Sequence, residues 1–464
     1  MPVAVPDRVN VLLLGTGGRE HAIAWKLRQS PRLGDLWVEP GANAGLLALG
    51  RPCPAPIDAR QSFRLNRWCD DAKIDLVVIG PEGPLEQDFA TLLAAPGRAV
   101  FGPSRAAARL EWDKAYAKSI MRAASIPTAE GRAFDSIEAA TAFVRARPSD
   151  EGMVVKASGL CAGKGVFVCK DRAATLAAVE RIMAQKAFGD AGGQVVIEER
   201  LSGQELSVLA LVDGRTIHVL DPAQDHKQVG EGDTGANTGG MGAYCPTPLA
   251  TDRLLDQVQH EVLVPAVDAL RREGVVFRGL LYAGLMLTPA GPKVLEFNTR
   301  FGDPETQPLL ARLQGDLVEI LWATATGNLA GVDLSFDPRT ALCVVVCSEG
   351  YPGSIRKGFP ITGLDEAAAM AGPGEELIVF HAGTARGEAP GDPPVTAGGR
   401  VLGVTALAAD LSSAQRLANR AAEAIAFDGA FFRRDIGWRV MGLPAVAGHS
   451  RGRSTLEPPA QGLM

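Results

Sequence analysis

Short apolar runs alternate with helical patterns through the amino-terminal part of the chain, and this alternation constrains the fold more than any other feature. Residues 9–14 form an apolar run that stops at Gly15, and helical spacing resumes from Ala22. Two further apolar runs follow at residues 74–79 and 99–101. Strands that alternate with helices build a parallel sheet, whose ligands bind outside the carboxyl ends of the strands. We therefore predict the α/β class with a parallel sheet at the amino terminus.

The glycine turn after the first apolar run predicts an anion site. Gly15, Gly17 and Gly18 would turn backbone N–H groups and a helix N-terminus toward a ligand, most naturally a phosphate. The complete dinucleotide fingerprint requires a glycine where this chain has Glu20, although Glu39 stands about where a ribose-binding acid would. A nicotinamide or flavin enzyme is therefore an alternative, as is a tight turn that binds nothing.

The composition is that of a globular protein with several cores. The chain has 464 residues, 46% hydrophobic and 22% charged, and a formal net charge of −6, which argues against a protein that coats nucleic acid. The seven cysteines include no C-x-x-C pair and are expected to be free thiols. No apolar run reaches the length of about 18 residues that a membrane span needs. We expect a cytoplasmic protein that binds neither nucleic acid nor membranes.

Glycine and lysine together mark a second candidate site. Only 11 of the 47 basic residues are lysine, and two of these, Lys156 and Lys164, flank a glycine-rich loop between β-branched runs. A Walker A loop does not fit, because the spacing from Gly159 to Lys164 is one residue short and Gly165 replaces the magnesium-binding hydroxyl. The remaining hypothesis is a flexible hairpin whose amides and lysines cover the phosphates of a nucleotide. A mobile loop with solvated lysines is the alternative.

Carboxylates follow the strand predicted from Val195. Glu198 and Glu199 end this strand, and Glu205 comes after a turn. Two of these carboxylates could act as a general acid and a general base. Alternatively, the segment could be a hinge whose backbone groups meet an adenine edge while one carboxylate accepts hydrogen bonds from ribose hydroxyls. A solvated strand end is equally compatible with the spacing.

A carboxylate and an amide share one face of the strand predicted over residues 293–297. Period-two alternation puts Glu296 and Asn298 on the same side, and two such oxygen donors suit magnesium held partly by substrate phosphates. Arg300 and Asp303 come just beyond, where a guanidinium could stabilise a transferring phosphoryl group or hold a carboxylate. A surface turn with ordinary ion pairs is the alternative.

The segment over residues 221–244 predicts a long ligand-binding loop. Six glycines fall within residues 230–242, close to Asp225, His226 and Lys227. This composition allows a ligand to approach the backbone closely, and loops of this length without a function are uncommon. A disordered linker is the alternative.

The chain length and the positions where the apolar and helical patterns break predict three structural units and a tail. We expect an amino-terminal unit over residues 1–110, a central unit over 111–335, and a smaller unit over 336–440. Residues 441–464 lack periodicity and are rich in Pro, Gly, Ser and Arg, which predicts a flexible tail.

Seven segments, in one order from about Val9 to Trp438, closely resemble the phosphoribosylamine–glycine ligase family of the ATP-grasp superfamily. They are GTGGREHAIAWKL, GPEGPL, KASGLCAGKGV, AQDHKQVGEGDTGANTGGMGAY, EFNTRFGDPETQP, FHAGT and RRDIG. The resemblance implies a multidomain ATP-grasp ligase with a Rossmann-like, pre-ATP-grasp amino-terminal domain, a mobile ATP-binding subdomain at about residues 125–195, and a small carboxyl-terminal domain.

The resemblance also implies the family's reaction, the second step of de novo purine synthesis. ATP activates glycine as glycyl phosphate, and the amine of 5-phosphoribosylamine then displaces phosphate to give glycinamide ribonucleotide. The implied cofactors are ATP and Mg²⁺ or Mn²⁺, and we expect a monomer.

Individual residues are assigned through the same resemblance. Those matched to ATP are Lys114, Lys156, Gly159, Gly163, Lys164, Gly165, Glu198, Glu199, Leu201 and Glu205. Those matched to the substrates are Gly17, Gly18, Arg19, Glu20, Pro81, Glu82, Asp225, Met241 and Arg300. The implied metal ligands are Glu296 and Asn298, and the implied catalytic residues are Arg300, Asp225 and Asp303.

Five positions depart from the family pattern. Trp112 and Asp113 stand where Gly-Ser is usual, Ser158 where Asp is common, Gln228 in place of Arg and Ala236 in place of Pro. None is an implied metal ligand, so nucleotide affinity and loop ordering are the properties that these positions affect. A related carboxylate–amine ligase with another substrate pair, and a nucleotide sensor without turnover, are the alternative functions.

Overall fold

The computed structural model describes residues 4–161 and 165–443. Gly163 and Lys164 of the predicted phosphate hairpin lie outside the described residues, as do residues 444–464 of the predicted tail. Within the described residues, no helix combines the length and the apolar character needed to cross a membrane.

The amino-terminal unit is a five-stranded parallel sheet with helices, as the alternating pattern predicted. Its elements are β1 (Val9–Leu14), α1 (Gly18–Leu27), β2 (Leu33–Val38), α2 (Ala44–Leu49), β3 (Arg51–Pro52), α3 (Ser62–Asp71), β4 (Leu76–Ile79), α4 (Glu82–Glu86), α5 (Phe89–Leu93) and β5 (Ala99–Phe101). The strand order is β3-β2-β1-β4-β5. The carboxyl ends of β1 and β4 lie side by side at the centre of this sheet, so their following turns meet.

The central unit contains two antiparallel sheets. Its first elements are α6 (Arg105–Trp112), α7 (Lys114–Ala123), β6 (Gly131–Phe134), α8 (Ile137–Arg145), β7 (Met153–Ala157), β8 (Val166–Val168), α9 (Arg172–Val179) and β9 (Val195–Glu199). They form a four-stranded sheet in the order β6-β9-β7-β8. β7 and β8 pair antiparallel, which confirms the hairpin fold expected around the glycine-rich loop.

The second central sheet carries the predicted metal ligands. The elements that follow are β10 (Gln204–Val212), β11 (Ile217–Val219), β12 (Gln224–Asp225), β13 (Gln228–Gly230), β14 (Thr234–Asn237), β15 (Gly242–Cys245), α10 (Asp252–Val258), α11 (Val264–Arg272), β16 (Gly279–Thr288), β17 (Gly291–Asn298), α12 (Thr306–Arg312), β18 (Leu313–Gln314), α13 (Leu317–Thr326) and β19 (Ser335–Phe336). The sheet order is β11-β10-β16-β17. It packs through Val208, Leu281, Ala283 and Phe297, all buried, against α7 and α11.

The carboxyl-terminal sheet extends across the third and central units. Its own elements are β20 (Thr340–Ser348), α14 (Leu364–Ala368), β21 (Glu376–His381), β22 (Thr384–Ala385), β23 (Val395–Thr396), β24 (Arg400–Ala408), α15 (Leu411–Ala424) and β25 (Ala430–Phe431). The strand order is β12-β15-β20-β24-β21, with β25 also paired to β20. The segment predicted as one long loop over residues 221–244 therefore contains short strands, two of which belong to this sheet.

The first and third units meet at two histidines, of which His21 is buried and His381 is half-buried. The backbone N–H of His381 donates to His21 Nδ1 over 2.7 Å, and Phe380 packs edge-on against the His21 ring. Burial, together with the neighbouring His381, lowers the pKa of His21 to about 3, and burial lowers the pKa of His381 to about 4. Both imidazoles are therefore neutral in the folded protein at pH 7.

These histidines are expected to make the protein less stable in mild acid. Unfolded histidine binds a proton below about pH 6.5, whereas the folded pair does not, so the free energy of unfolding falls as the pH decreases from 6.5 toward 4. Each buried histidine contributes up to about 1.4 kcal/mol of this loss per pH unit. Urea unfolding at pH 7.5 and pH 5 measures it, and His381→Gln should reduce the difference between the two values. An equal difference in the variant would contradict this prediction.

Candidate active site

The two central sheets are joined by a buried cluster of two lysines and one carboxylate. Lys156 on β7 pairs with Glu198 on β9 and donates to the carbonyl of Leu295 on β17 over 2.8 Å. Lys118 on α7 lies 2.7 Å from the other oxygen of Glu198 and also donates to the Ala129 carbonyl over 2.9 Å. All three charged groups are buried. Lys156 thus bridges the cleft between the sheets, where the sequence predicted a phosphate-binding lysine.

The other carboxylates of the predicted hinge are also paired with lysine. Glu199 Oε1 accepts from Lys293 over 2.9 Å, and Lys227 lies 2.9 Å from Glu205. Leu201 lies two residues beyond the end of β9 and is partly exposed. Lysine side chains of the protein therefore pair with the carboxylates whose roles the sequence left open. An acid–base pair of Glu198 and Glu199 does not fit, because lysine holds both side chains in ion pairs.

Lys114 is the first residue of α7, and its position is set by a cap that also reaches the glycine-rich hairpin. Asp113 Oδ1 accepts hydrogen bonds from Tyr116 N over 3.0 Å and from Ser158 Oγ over 2.9 Å. Ser158 Oγ in turn accepts from Ala115 N over 3.0 Å. Two positions that depart from the family pattern, Asp113 and Ser158, are therefore direct hydrogen-bond partners. They join the start of the lysine helix to the end of β7.

Glycines in the described part of the hairpin provide space for neighbouring groups. A side chain on Gly159 would collide with Ala191, and Gly159 has a φ of +158°. A side chain on Gly165 would meet Cys161, with Cβ and Sγ both 2.7 Å away. Burial raises the pKa of the Cys161 thiol, and the positive charge of Lys114 opposes this shift.

Glu296 and Asn298 end β17 on the face that the alternation predicted. Among the described residues, no hydrogen bond or ion pair engages the Glu296 carboxylate. Burial alone would raise the pKa of Glu296, but cations hold it below its ordinary value. These cations are Lys227, Lys114, Lys156 and Arg300.

This donor set fits a magnesium ion that is completed by phosphates. An ionised carboxylate without a protein partner and an amide oxygen two residues away are the hard donors that Mg²⁺ prefers. The described residues contain no cluster of three or more Asp, Glu, His or Cys side chains that could hold a metal without such help.

Arg300 is held at this site by two carboxylates. Its Nη2 lies 2.9 Å from Glu111 Oε1, and its Nε lies 3.6 Å from Glu82 Oε2. Arg300 Nη2 also donates to Asn298 Oδ1 over 3.2 Å. Nε is buried and has no hydrogen-bond partner among the described residues. The guanidinium is thus oriented by its neighbours while one donor remains for a ligand.

The first glycine turn has carboxylates as its hydrogen-bond acceptors. The N–H of Gly15 donates to Glu39 over 2.6 Å, and that of Gly17 donates to Glu20 over 2.8 Å. The N–H of Arg19 makes a longer bond of 3.4 Å to Asp303. The sequence predicted a phosphate against these amides, but the structure places three carboxylates of the protein there.

Glu20 explains why the turn needs glycine. Its side chain is buried, and a Cβ on Gly15 would lie 2.6 Å from it. A Cβ on Gly80, in the turn after β4, would collide with the same carboxylate, and Pro81 lies 2.8 Å from the Gly15 position. The two turns at the carboxyl end of the sheet therefore close around Glu20.

Two C-terminal residues that the sequence did not assign hold one end of the substrate loop, residues 221–244. Arg400 Nη1 donates to the carbonyl of Gly239 over 2.8 Å and lies 3.3 Å from Asp303 Oδ1. Tyr351 Oη accepts from Gly239 N over 2.9 Å. No local motif marks Arg400 or Tyr351, because their partners lie far away in sequence.

Residues 433–439, which begin with the RRDIG segment, hold the other end of the substrate loop. Arg433 and Arg439 both pair with Asp233, at 3.1 and 2.7 Å. Arg439 also donates to the Asp225 carbonyl over 3.1 Å, and His226 Nε2 accepts from Gly437 N over 3.1 Å. The resemblance singled out this segment without a role, and the structure gives it one in holding the loop.

Asp225 and Met241, which the resemblance places near the substrates, have contrasting surroundings. Burial raises the pKa of Asp225 to about 7 despite the charge of Lys227, and Glu305 and Glu205 add to the shift. Met241 is fully buried, and its thioether lies 3.8 Å from the Cys347 thiol in the carboxyl-terminal core. Met241 therefore anchors the loop in the carboxyl-terminal core, and its side chain exposes no surface to a substrate.

The fold and this site together define the class of ATP-grasp ligases. Three family profiles of phosphoribosylglycinamide synthetase match the chain, the N domain over residues 9–111, the ATP-grasp domain over 112–306 and the C domain over 341–439. The chain therefore belongs to the phosphoribosylamine–glycine ligase family, which are enzymes of purine biosynthesis.

Individual relatives agree with this assignment. The chain is 49% identical to a phosphoribosylamine–glycine ligase from Rhodopirellula baltica over 438 residues, which cover 93% of this chain and 97% of the relative. It matches the solved structure of such a ligase from Thermotoga maritima with a TM-score of 0.76 and 31% identity, over 92% of this chain and 100% of the other. A biotin carboxylase domain from Hydrogenobacter thermophilus, solved with MgADP, shares the fold with a TM-score of 0.69 and 16% identity, over 92% of each chain.

Proposed function

We propose that this chain joins glycine to 5-phosphoribosylamine with ATP, through glycyl phosphate, to give glycinamide ribonucleotide, ADP and phosphate. The cation set around the ionised Glu296 carries the proposal. Phosphoryl transfer depends chiefly on positioning and on stabilising charge that spreads over the phosphoryl oxygens. Lysines from a strand, a helix and the loop over residues 221–244 meet one arginine around a carboxylate and an amide, which supplies that charge in one place.

In the first step, an oxygen of the glycine carboxylate attacks the γ-phosphorus of ATP, and the bond to the β-phosphate oxygen breaks. Lys114 and Lys156 neutralise the phosphates, and Arg300 Nε, which has no hydrogen-bond partner among the described residues, is proposed to donate to the transferring group. Bound Mg²⁺ would supply Lewis-acid stabilisation of the same oxygens, with Glu296 and Asn298 as its protein ligands.

In the second step, the amine nitrogen of phosphoribosylamine attacks the acyl carbon, and the carbon–oxygen bond to phosphate breaks. The nitrogen must lose a proton as the amide forms. Asp225 is proposed as the acceptor, because burial has brought its pKa to about 7. Asp303 and Arg300 are proposed to orient the reacting groups from the other side.

The remaining assignments are proposals that follow from the same reaction. The backbone from Glu198 to Leu201 is proposed to meet the adenine, and Glu205 the ribose. The turns that carry Gly17 and Glu82 are proposed to meet phosphoribosylamine. We further propose the units 1–110, 111–335 and 336–440, with the mobile subdomain at about residues 125–195, as functional divisions of a cytoplasmic monomer.

A coupled assay of ADP release tests the proposed reaction. Purified full-length protein with magnesium and ATP should release ADP only when both glycine and freshly generated phosphoribosylamine are present. Alanine, serine and β-alanine in place of glycine, and ammonia in place of phosphoribosylamine, form the control panel. Release that does not require both substrates would rule out the proposed pair, and a preferred member of the panel would identify a related ligase.

A further inference from the structure

We propose that Arg400, the first residue of β24, binds the phosphate of the phosphoribosyl substrate, an inference that rests on the proposed function. The glycine turn then binds the opposite end of that substrate. Nothing in the sequence pattern assigns this role to Arg400, because the site forms only where the carboxyl-terminal unit meets the substrate loop.

Carboxylates make the glycine turn a poor phosphate site. The amides of Gly15 and Gly17 already donate to Glu39 and Glu20, and Asp303 lies against the N-terminus of α1. A phosphate dianion at this turn would face three carboxylates, and like charges at short range repel. Carboxylates instead accept hydrogen bonds from hydroxyl and amine groups, which are the groups at the other end of a phosphoribosylamine molecule.

The other two arginines of the site are largely engaged by the protein. Arg19 pairs with Glu20 over 2.6 Å and donates to the carbonyl of Phe301 over 3.0 Å. Arg300 is held between Glu111 and Glu82 and faces the proposed metal ligands. Neither has a complete edge of its guanidinium free for a second dianion.

Arg400 keeps one edge of its guanidinium free. All of its hydrogen bonds to described residues come from Nη1, to the carbonyls of Gly239 and Asp303, each over 2.8 Å. Nε and Nη2 form the opposite edge, and such an edge binds a phosphate with two parallel hydrogen bonds. The Arg400 side chain is 22% exposed, so solvent reaches part of it.

Gly239 leaves this edge uncovered. A Cβ on Gly239 would lie 3.1 Å from Cζ, 3.2 Å from Nη2 and 3.4 Å from Nε of Arg400, over the face of the guanidinium on the side that carries the free edge. The bond from Gly239 N to Tyr351 and the bond from its carbonyl to Arg400 fix the glycine in this position. The loop backbone therefore lies beside the Arg400 guanidinium without covering its free edge.

Asp303 connects the proposed phosphate site to the glycine turn. Its Oδ1 lies 3.3 Å from Arg400 Nη1, and its Oδ2 accepts from Arg19 N over 3.4 Å. One carboxylate thus lies between the Nη1 group of Arg400 and the first turn of α1. A sugar phosphate can span such a gap, with its hydroxyl and amine groups on the carboxylates and its phosphate on Arg400.

Binding of ribose 5-phosphate, compared with ribose, tests this inference by calorimetry on the full chain. The wild-type protein should bind ribose 5-phosphate more tightly than ribose. Arg400→Gln should lower the affinity for ribose 5-phosphate by about 10-fold or more, which is the scale of charge-assisted hydrogen bonds, and leave ribose binding unchanged. Arg416→Gln is the matched control, because Arg416 is exposed on α15 in the same unit and donates to Ser412 and Ser413.

A second variant separates phosphate binding from support of the loop. Arg400→Lys can still donate to the carbonyls of Gly239 and Asp303, but it lacks the two-donor edge. It should therefore unfold at the wild-type urea concentration and still lose most of the preference for ribose 5-phosphate. If Arg400→Gln does not fold, this variant decides the question.

Three results would overturn the inference. They are an unchanged preference for ribose 5-phosphate in the folded Arg400 variants, a rise in the KM for glycine alone, and an equal loss in Arg416→Gln. A rise in the KM for glycine alone would assign Arg400 to the glycine carboxylate. If the wild-type chain bound ribose 5-phosphate through Arg400 but released no ADP in the coupled assay, the phosphate site would stand and the proposed reaction would fail.

Discussion

Replacing Glu296 with alanine is expected to lower kcat by roughly 10²- to 10³-fold while the protein stays folded. The ionised Glu296 carboxylate has no partner among the described residues, and four cations converge on it. Its removal takes away one of two oxygen donors for the metal and leaves those cations to repel one another. ADP release with saturating substrates measures the effect, and urea unfolding confirms that the fold persists.

Two further variants make this test specific. Glu296→Gln keeps the size of the side chain and removes its charge, so it should lose nearly as much activity as the alanine variant. Glu261→Ala removes an exposed carboxylate that only accepts from Gln257, and it should retain the wild-type rate. A Glu296→Ala protein with normal turnover would remove this residue from the site.

Replacing Glu198 with alanine is expected to lower the free energy of unfolding by about 3–5 kcal/mol. Glu198 pairs with Lys118 and Lys156, and all three groups are buried, so the variant leaves two ammonium groups in the interior without a counter-charge. Removing one member of a buried ion cluster costs far more than the cluster itself contributes. Urea unfolding at pH 7.5 measures the change.

The neighbouring residue provides a matched control. Glu199 pairs with Lys293, and the Glu199 side chain is 38% exposed, so Glu199→Ala should cost at most about 1 kcal/mol. Glu198 and Glu199 are adjacent on β9. The lysine partners of Glu198 are buried, whereas Lys293, the partner of Glu199, is 26% exposed. Equal losses in both would show that burial of the lysines does not determine the effect.

Local patterns were sufficient to predict the scaffold. The apolar runs around Gly15 and Gly80 gave the parallel sheet, because each strand and its turn are encoded within a few residues. Alternation on β17 likewise placed Glu296 and Asn298 on one face, since the side-chain period of a strand does not depend on distant partners. The assignment of the chain to its family rested on motifs of the same local kind.

The partners of individual groups could not be predicted from the same patterns. The acceptor of Arg19 N is Asp303, which lies 284 residues further along the chain, and Arg400 reaches Gly239 across 161 residues. A glycine turn has the same sequence whether its amides meet a phosphate or a carboxylate. Only the folded structure shows that Glu20 and Glu39 accept hydrogen bonds from two of these amides.

The short strands within the substrate loop affect how this enzyme is made during translation. β15, at residues 242–245, pairs with β20, which pairs with β24 at residues 400–408. A ribosome must therefore complete most of the chain before this sheet can assemble. The segment that carries Asp225 cannot take its final place in the sheet before then. A chain that ends before β24 lacks a strand of the sheet that holds this segment, and we expect it to be inactive.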